Sequence, residues 1–208
     1  MKKNIPSRFI LPLIAAASVL RKEKLFKELI YLSKEKRISP KKIYEILLQS
    51  YLFAGFPSAL ISLKIFKEIL PVRLTGNKTQ SISELKKIGE KTCRKIYGDK
   101  YDKLISNIKS FSPELSDWLV AEGYGKVLSR TQLNLKEREL AIIAMLTVLK
   151  FEDQLFSHIN GAVRLGIPSK IISELIDSLM ILENKSYSSF GKKVLEKFLK
   201  QKILINKL

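Results

Sequence analysis

The chain has 208 residues, 46% of them hydrophobic and 28% charged, with 38 Lys plus Arg against 20 Asp plus Glu for a net charge of +18. That length supports a real core and excludes a disordered or fibrous chain; the single cysteine, Cys93, excludes an internal disulfide and fits a cytoplasmic, reducing setting. The cations are mostly lysines spread along the chain and interleaved with Glu and Ile, without Arg clusters beside aromatics, which argues for a solvated surface and against specific nucleic-acid binding.

Met1-Lys2-Lys3 and the apolar run from Phe9 to Leu20 imitate a secretion signal. The run is too short to cross a bilayer, and it leads into Arg21-Lys22-Glu23-Lys24 instead of a cleavage region. It reads as a core helix of a protein that does not enter the membrane. Ser39-Pro40 starts a later helix through Ile43, Ile46, Leu47 and Leu48. Residues 70–83, with Gly76 and Asn77, read as a loop, and a helix from about Ser83 to Tyr97 ends before Gly98. A basic, weakly patterned stretch leads to Phe111-Ser112-Pro113 and a short helix, Glu114 to Ala121. Asn134 with Glu137 has capping-box spacing and opens a helix whose apolar face is Leu140, Ile143, Ala144, Thr147 and Val148. After a turn near Lys150 comes a helix with Leu155, Ile159, Ala162 and Val163, stopped by Gly166. Pro168-Ser169 precedes the last predicted helix, Ile171 to about Leu182.

Residues 11–47 align without gaps on residues 140–176, and eleven of the 37 pairs are identical, among them Val19/Val148, Glu23/Glu152, Lys41/Lys170 and Glu45/Glu174. The expected architecture is therefore one all-α domain, residues 1–208, containing two duplicated helical units. A first unit, 8–70, is degenerate; 71–130 supplies linker helices; a second unit, 131–200, carries the candidate site.

The only histidine, His158, lies in Ser157-His158-Ile159-Asn160-Gly161-Ala162, on the helix face shared with Leu155 and Ala162. Alone, it reads as a buried histidine satisfied by one hydrogen bond. The repeat changes that reading, because His158 pairs with Leu29, and Glu139, one residue before the compared block, pairs with Ile10. Packing is met by aliphatic residues in one half, so the acid and imidazole of the other point to chemistry. On antiparallel helices the two lie at heights about 4–5 Å apart, within reach of a Glu side chain or one water. There is no phosphate-binding loop and no metal-ligand cluster, so no metal and no cofactor is expected.

The stretch Tyr124-Gly125-Lys126-Val127-Leu128-Ser129-Arg130, then Leu135-Lys136-Glu137-Arg138-Glu139-Leu140, resembles the entry to the carboxymuconolactone decarboxylase core. Ser157 to Ala162 with Gly166 and Ile172 to Glu174 resembles that family's signature helix. Gln49 to Pro57 resembles its Gly-Phe-Pro helix start, and Ile88-Gly89-Glu90 to Tyr97-Gly98 its linker helix. The resemblance covers about residues 10–185. It implies an alkylhydroperoxidase D-like helical fold and a homo-oligomer, trimeric or hexameric. The branch with a Cys-x-x-Cys pair has its cysteines where this chain has Phe151 and Gln154, so thiol peroxidase chemistry by that route is excluded. The resemblance implies instead a cofactor-free decarboxylase acting on a small carboxylate, with His158 and Glu139 as catalytic pair and Arg130, Arg138 and Gln154 as substrate-binding residues. Arg130 is the stronger of the two arginines for a bidentate carboxylate contact. Two other classes compete: a non-catalytic oligomeric binding protein of the same fold, and nucleic-acid association through the positive surface.

Overall fold

The computed structural model describes residues 5–72 and 80–205; Met1-Lys2-Lys3 and the Gly76-Asn77 part of the expected loop lie outside them. The described residues are helical and contain no strand. The chain divides into two compact units, one of residues 5–72 together with 136–205, the other of residues 80–135. The segment expected to supply linker helices is thus largely a unit in itself.

The first unit contains α1 (Ser7–Val19), α2 (Glu23–Glu35), α3 (Pro40–Gln49) and α4 (Tyr51–Ile69), then most of α8 (Leu135–Leu149), and α9 (Glu152–Arg164), α10 (Ser169–Ser178) and α11 (Lys185–Ile205). α1 is buried along its length from Phe9 to Val19, and α8 from Arg138 to Val148. The one-sided apolar face expected for α8 is therefore an underestimate. A helix apolar nearly all round takes the centre of its unit, and α1 packs against α2, α3, α4 and α10. No single described helix is long and apolar enough to cross a membrane; α3 and α4 reach that length and composition only together, across a 119° bend.

Helix bounds recur at the same offset of 129 that aligns the sequence with itself. Adding 129 to Glu23–Glu35 and to Pro40–Gln49 gives the bounds of α9 and α10. Each half turns from its first to its second helix through a residue of positive φ, Arg21 (53°) and Lys150 (61°). Each second helix ends the same way, at Arg37 (54°) and Gly166 (83°). There Ile38 N–H reaches back to the Ser33 carbonyl, and Ile167 N–H to that of Ala162, the closure of a Schellman motif. The repeat also extends beyond the three expected helices. α4 is broken at Gly55 into residues 51–54 and 56–69, and the corresponding residues of the second half form a 3₁₀ turn, Leu179–Leu182, and the start of α11.

In the other unit, α5 (Ile82–Tyr97), a 3₁₀ turn (Gly98–Lys100), α6 (Tyr101–Phe111) and α7 (Pro113–Trp118) lead into a ten-residue π helix, Leu119–Leu128. The expected short helix 114–121 is therefore two elements, and the basic stretch before it is a helix. α5 begins with a capping box: Ser81 Oγ accepts from Glu84 N–H, and the Glu84 carboxylate accepts from Ser81 N–H. α5 and the π helix approach backbone to backbone at Gly89 and Gly125. A Cβ on Gly89 would stand 1.9 Å from the Val120 carbonyl oxygen, and one on Gly125 2.1 Å from that of Leu85. Tyr124 and Tyr97 join hydroxyls at 2.9 Å beside this contact, and Cys93 is buried in α5.

Candidate active site

Glu139 lies in the first turns of α8 and His158 in the middle of α9. The pair meets directly, with Glu139 Oε2 2.9 Å from His158 Nδ1. The length of the Glu side chain absorbs the helical offset, and no bridging water is required. Glu139 is fully buried and His158 is 7% exposed. The second carboxylate oxygen, Glu139 Oε1, is buried and makes no hydrogen bond among the described residues. An acceptor withdrawn from water in this way carries an unmet demand for a donor.

α3 supplies a second buried polar cluster beside the first. Arg138 Nη2 pairs with Glu45 Oε2 at 2.9 Å, and Arg138 Nη1 donates to Gln49 Oε1 at 3.0 Å. Gln49 Nε2 in turn donates to the Arg138 carbonyl at 3.4 Å. All three residues are at most 1% exposed. Arg138 is thereby corrected from a solvated, substrate-reaching arginine to a core ion-pair member. Consecutive residues of a helix point about 100° apart, so Arg138 and Glu139 send opposite charges to different neighbours, α3 and α9. At the same end of α8, Lys42 pairs with Glu137.

Gln154 is exposed in the first turn of α9, beside Phe151, itself 48% exposed. Both positions that would hold a dithiol are thus at the surface, one and two turns before His158. Arg130 follows the π helix and is half-buried in the other unit.

Three contributors escaped the sequence reading. Glu45 and Gln49 are spaced i, i+4 and share one face of α3, a signal that was present. The third is Phe53, whose ring meets the His158 imidazole edge-on with centroids 6.3 Å apart.

An open cleft of about 320 Å³ lies in the first half of the repeat, lined by residues that include Lys22, Glu23, Leu25, Glu28, Ile181 and Leu182. Shifted by 129, those six positions become Phe151, Glu152, Gln154, Ser157, Leu52 and Phe53. Four of these positions lie beside His158 in the sequence of α9 and its N-terminal turn, and two belong to the turn that carries Phe53.

No family model and no curated protein matches this chain. The functional reading therefore rests on the residues and their geometry.

Proposed function

We propose that the protein is a cofactor-free lyase or isomerase of the carboxymuconolactone decarboxylase kind, acting on a small organic acid such as an unsaturated lactone. The observation that carries this reading is the buried Glu139–His158 bond, in a frame whose other half holds Ile10 and Leu29 at the same positions. A carboxylate accepting from Nδ1–H fixes the imidazole's tautomer and its orientation. Proton exchange with a ligand then falls to Nε2.

In the reaction, the bond from the ring carbon to the carboxylate breaks and carbon dioxide leaves. The electron pair delocalises into the unsaturated lactone, and a proton from His158 Nε2 is delivered to carbon. The proton consumed is recovered from solvent. Glu139 holds the ring in place through the cycle, with its second oxygen buried beside the pair. Gln154 is proposed at the rim of the site. A trimeric or hexameric assembly and a cytoplasmic setting belong to the same proposal.

The test is carbon dioxide release from γ-carboxymuconolactone by the purified protein, compared with His158→Ala. Release by the wild type alone supports the reading. Equal release by both, or binding of small acids that His158→Gln leaves unchanged, favours the non-catalytic reading.

A further inference from the structure

Phe53 packs against the buried His158 imidazole. The ring lies edge-on to the imidazole, and His158 retains only 7% of its surface. Phe53 sits in the short turn of residues 51–54, between α3 and the break at Gly55. One end of the turn is fixed: Ser50 is fully buried, its hydroxyl donates to the Leu47 carbonyl at 2.7 Å, and its carbonyl accepts from the N–H groups of Phe53 and Ala54. The other end is Gly55, exposed, with φ 73° and ψ 170°. That backbone conformation belongs almost solely to glycine. A Cβ there meets only Pro57 Cδ, at 3.6 Å, so conformation and not space requires the glycine. Across the break, Tyr51 stacks on Phe56 with centroids 5.0 Å apart, although Phe56 is 64% exposed.

The residue paired with Phe53 in the other half is more deeply buried. Leu182, the counterpart of Phe53, is folded into the core at 1% exposure, and a cleft stands open beside it. Phe53 is only half-buried, edge-on to His158. We infer that residues 51–54 are a gate: Phe53 closes the His158 site, and the turn swings about Gly55 to open the cleft that its counterpart already shows. The inference rests on the reading of His158 as a ligand-handling residue, but its test does not use the reaction.

Because His158 is the only histidine, acylation by diethylpyrocarbonate, read by the hydroxylamine-reversible histidine absorbance change, reports this site alone. On the full-length protein, the wild type is expected to react slowly, at a rate flat across sub-denaturing urea. A local swing exposes little surface, whereas global unfolding has a steep urea dependence. Phe53→Ala is expected to raise the rate about tenfold or more. Gly55→Ala is expected to raise it several-fold, because alanine is strained in the closed turn and shifts it toward open. Far-UV circular dichroism and melting curves establish that each variant is folded; if Phe53→Ala does not fold, Gly55→Ala and the urea profile decide. A wild-type rate that climbs steeply with urea, or unchanged rates in the folded variants, overturns the gate. Acceleration without carbon dioxide release keeps the gate and removes the proposed substrate. Carbon dioxide release with unchanged acylation rates does the reverse.

Discussion

Glu139 and His158 bond at 2.9 Å inside the core, at the two positions where the first half of the chain places Ile10 and Leu29. A buried ionisable pair of this kind adds little to stability compared with a well-packed apolar pair, yet removing one partner strands the other. His158→Leu alone is therefore expected to destabilise the fold by about 3–5 kcal/mol, since it leaves the Glu139 carboxylate buried without its imidazole. Glu139→Ile combined with His158→Leu, which copies the first half, is expected to recover that loss and reach or exceed wild-type stability. Urea denaturation of the three proteins measures both steps. A double variant less stable than the wild type would assign the pair a structural role.

Arg138 and Glu45 carry the complementary prediction. Their ion pair joins α8 to α3 and is 1% exposed on each side. Glu45→Ala leaves a guanidinium in the core with Gln49 as a neutral partner, and a loss of about 3–5 kcal/mol is expected. Glu45→Gln keeps a hydrogen-bond acceptor and is expected to lose less. If Glu45→Ala melts like the wild type, the ion pair is not a determinant of the α3–α8 packing.

These two buried clusters mark the limit of what the sequence shows. Helical class, the turns at Lys150 and Gly166, and the choice of Glu139 and His158 were legible from periodicity and from an alignment of the chain with itself. The repeat also suggested the architecture of the first unit, but identity between the halves fades after residue 47, where the matched positions become Phe53/Leu182 and Phe56/Lys185. The fourth helix of the second half was missed for that reason, while that of the first was read only as a helix start near Gly55-Phe56-Pro57. The resemblance offered Arg138 as a substrate-binding residue, and its core partner Glu45 lies 93 residues away. No local pattern encodes that separation. The expected helix stops at Ala121, short of the π helix's end at Leu128, because Gly123 and Gly125 weaken the helical signal there.

The first turn of α5 should loosen in acid. The Ser81 backbone N–H, and then its hydroxyl, hold the exposed Glu84 carboxyl below its ordinary pKa of 4.5. A carboxyl lowered in the folded state stabilises that state at pH values above its unfolded pKa, and the contribution disappears as pH falls through the folded value. Amide exchange in the first turn of α5 is therefore expected to gain an acid-dependent opening in the range below pH 4.5. Glu84→Gln is expected to flatten that dependence. Ser81→Ala removes the hydroxyl half of the box, leaving the backbone N–H to the Glu84 carboxylate, and is expected to destabilise the helix by about 1 kcal/mol at neutral pH. An unchanged acid profile in Glu84→Gln would show that another carboxylate controls the end of this helix.

The unit of residues 80–135 should depend on two glycines and be indifferent to a third. α5 and the π helix meet where Gly89 faces the Val120 carbonyl and Gly125 faces that of Leu85, and a single added methyl would lie 1.9 Å or 2.1 Å from those oxygens. Both neighbours are backbone, so no side chain can turn aside; the helices must separate, and the packing around the buried Tyr97–Tyr124 contact must loosen with them. Gly89→Ala and Gly125→Ala are each expected to destabilise this unit by about 2–3 kcal/mol, the upper part of the range for overpacking a close-packed site. Gly123 stands in the same π helix, but a Cβ there meets nothing within 4 Å. Gly123→Ala is therefore expected to be neutral or to stabilise by about 0.5–1 kcal/mol, since alanine loses less backbone freedom on folding. Limited proteolysis and thermal melts of the three variants separate the cases. Because Glu139 and His158 lie in the other unit, histidine acylation at moderate temperature should remain at the wild-type rate in all three. Equal destabilisation by Gly123→Ala would mean that helix propensity, and not the close backbone approach, accounts for the glycines.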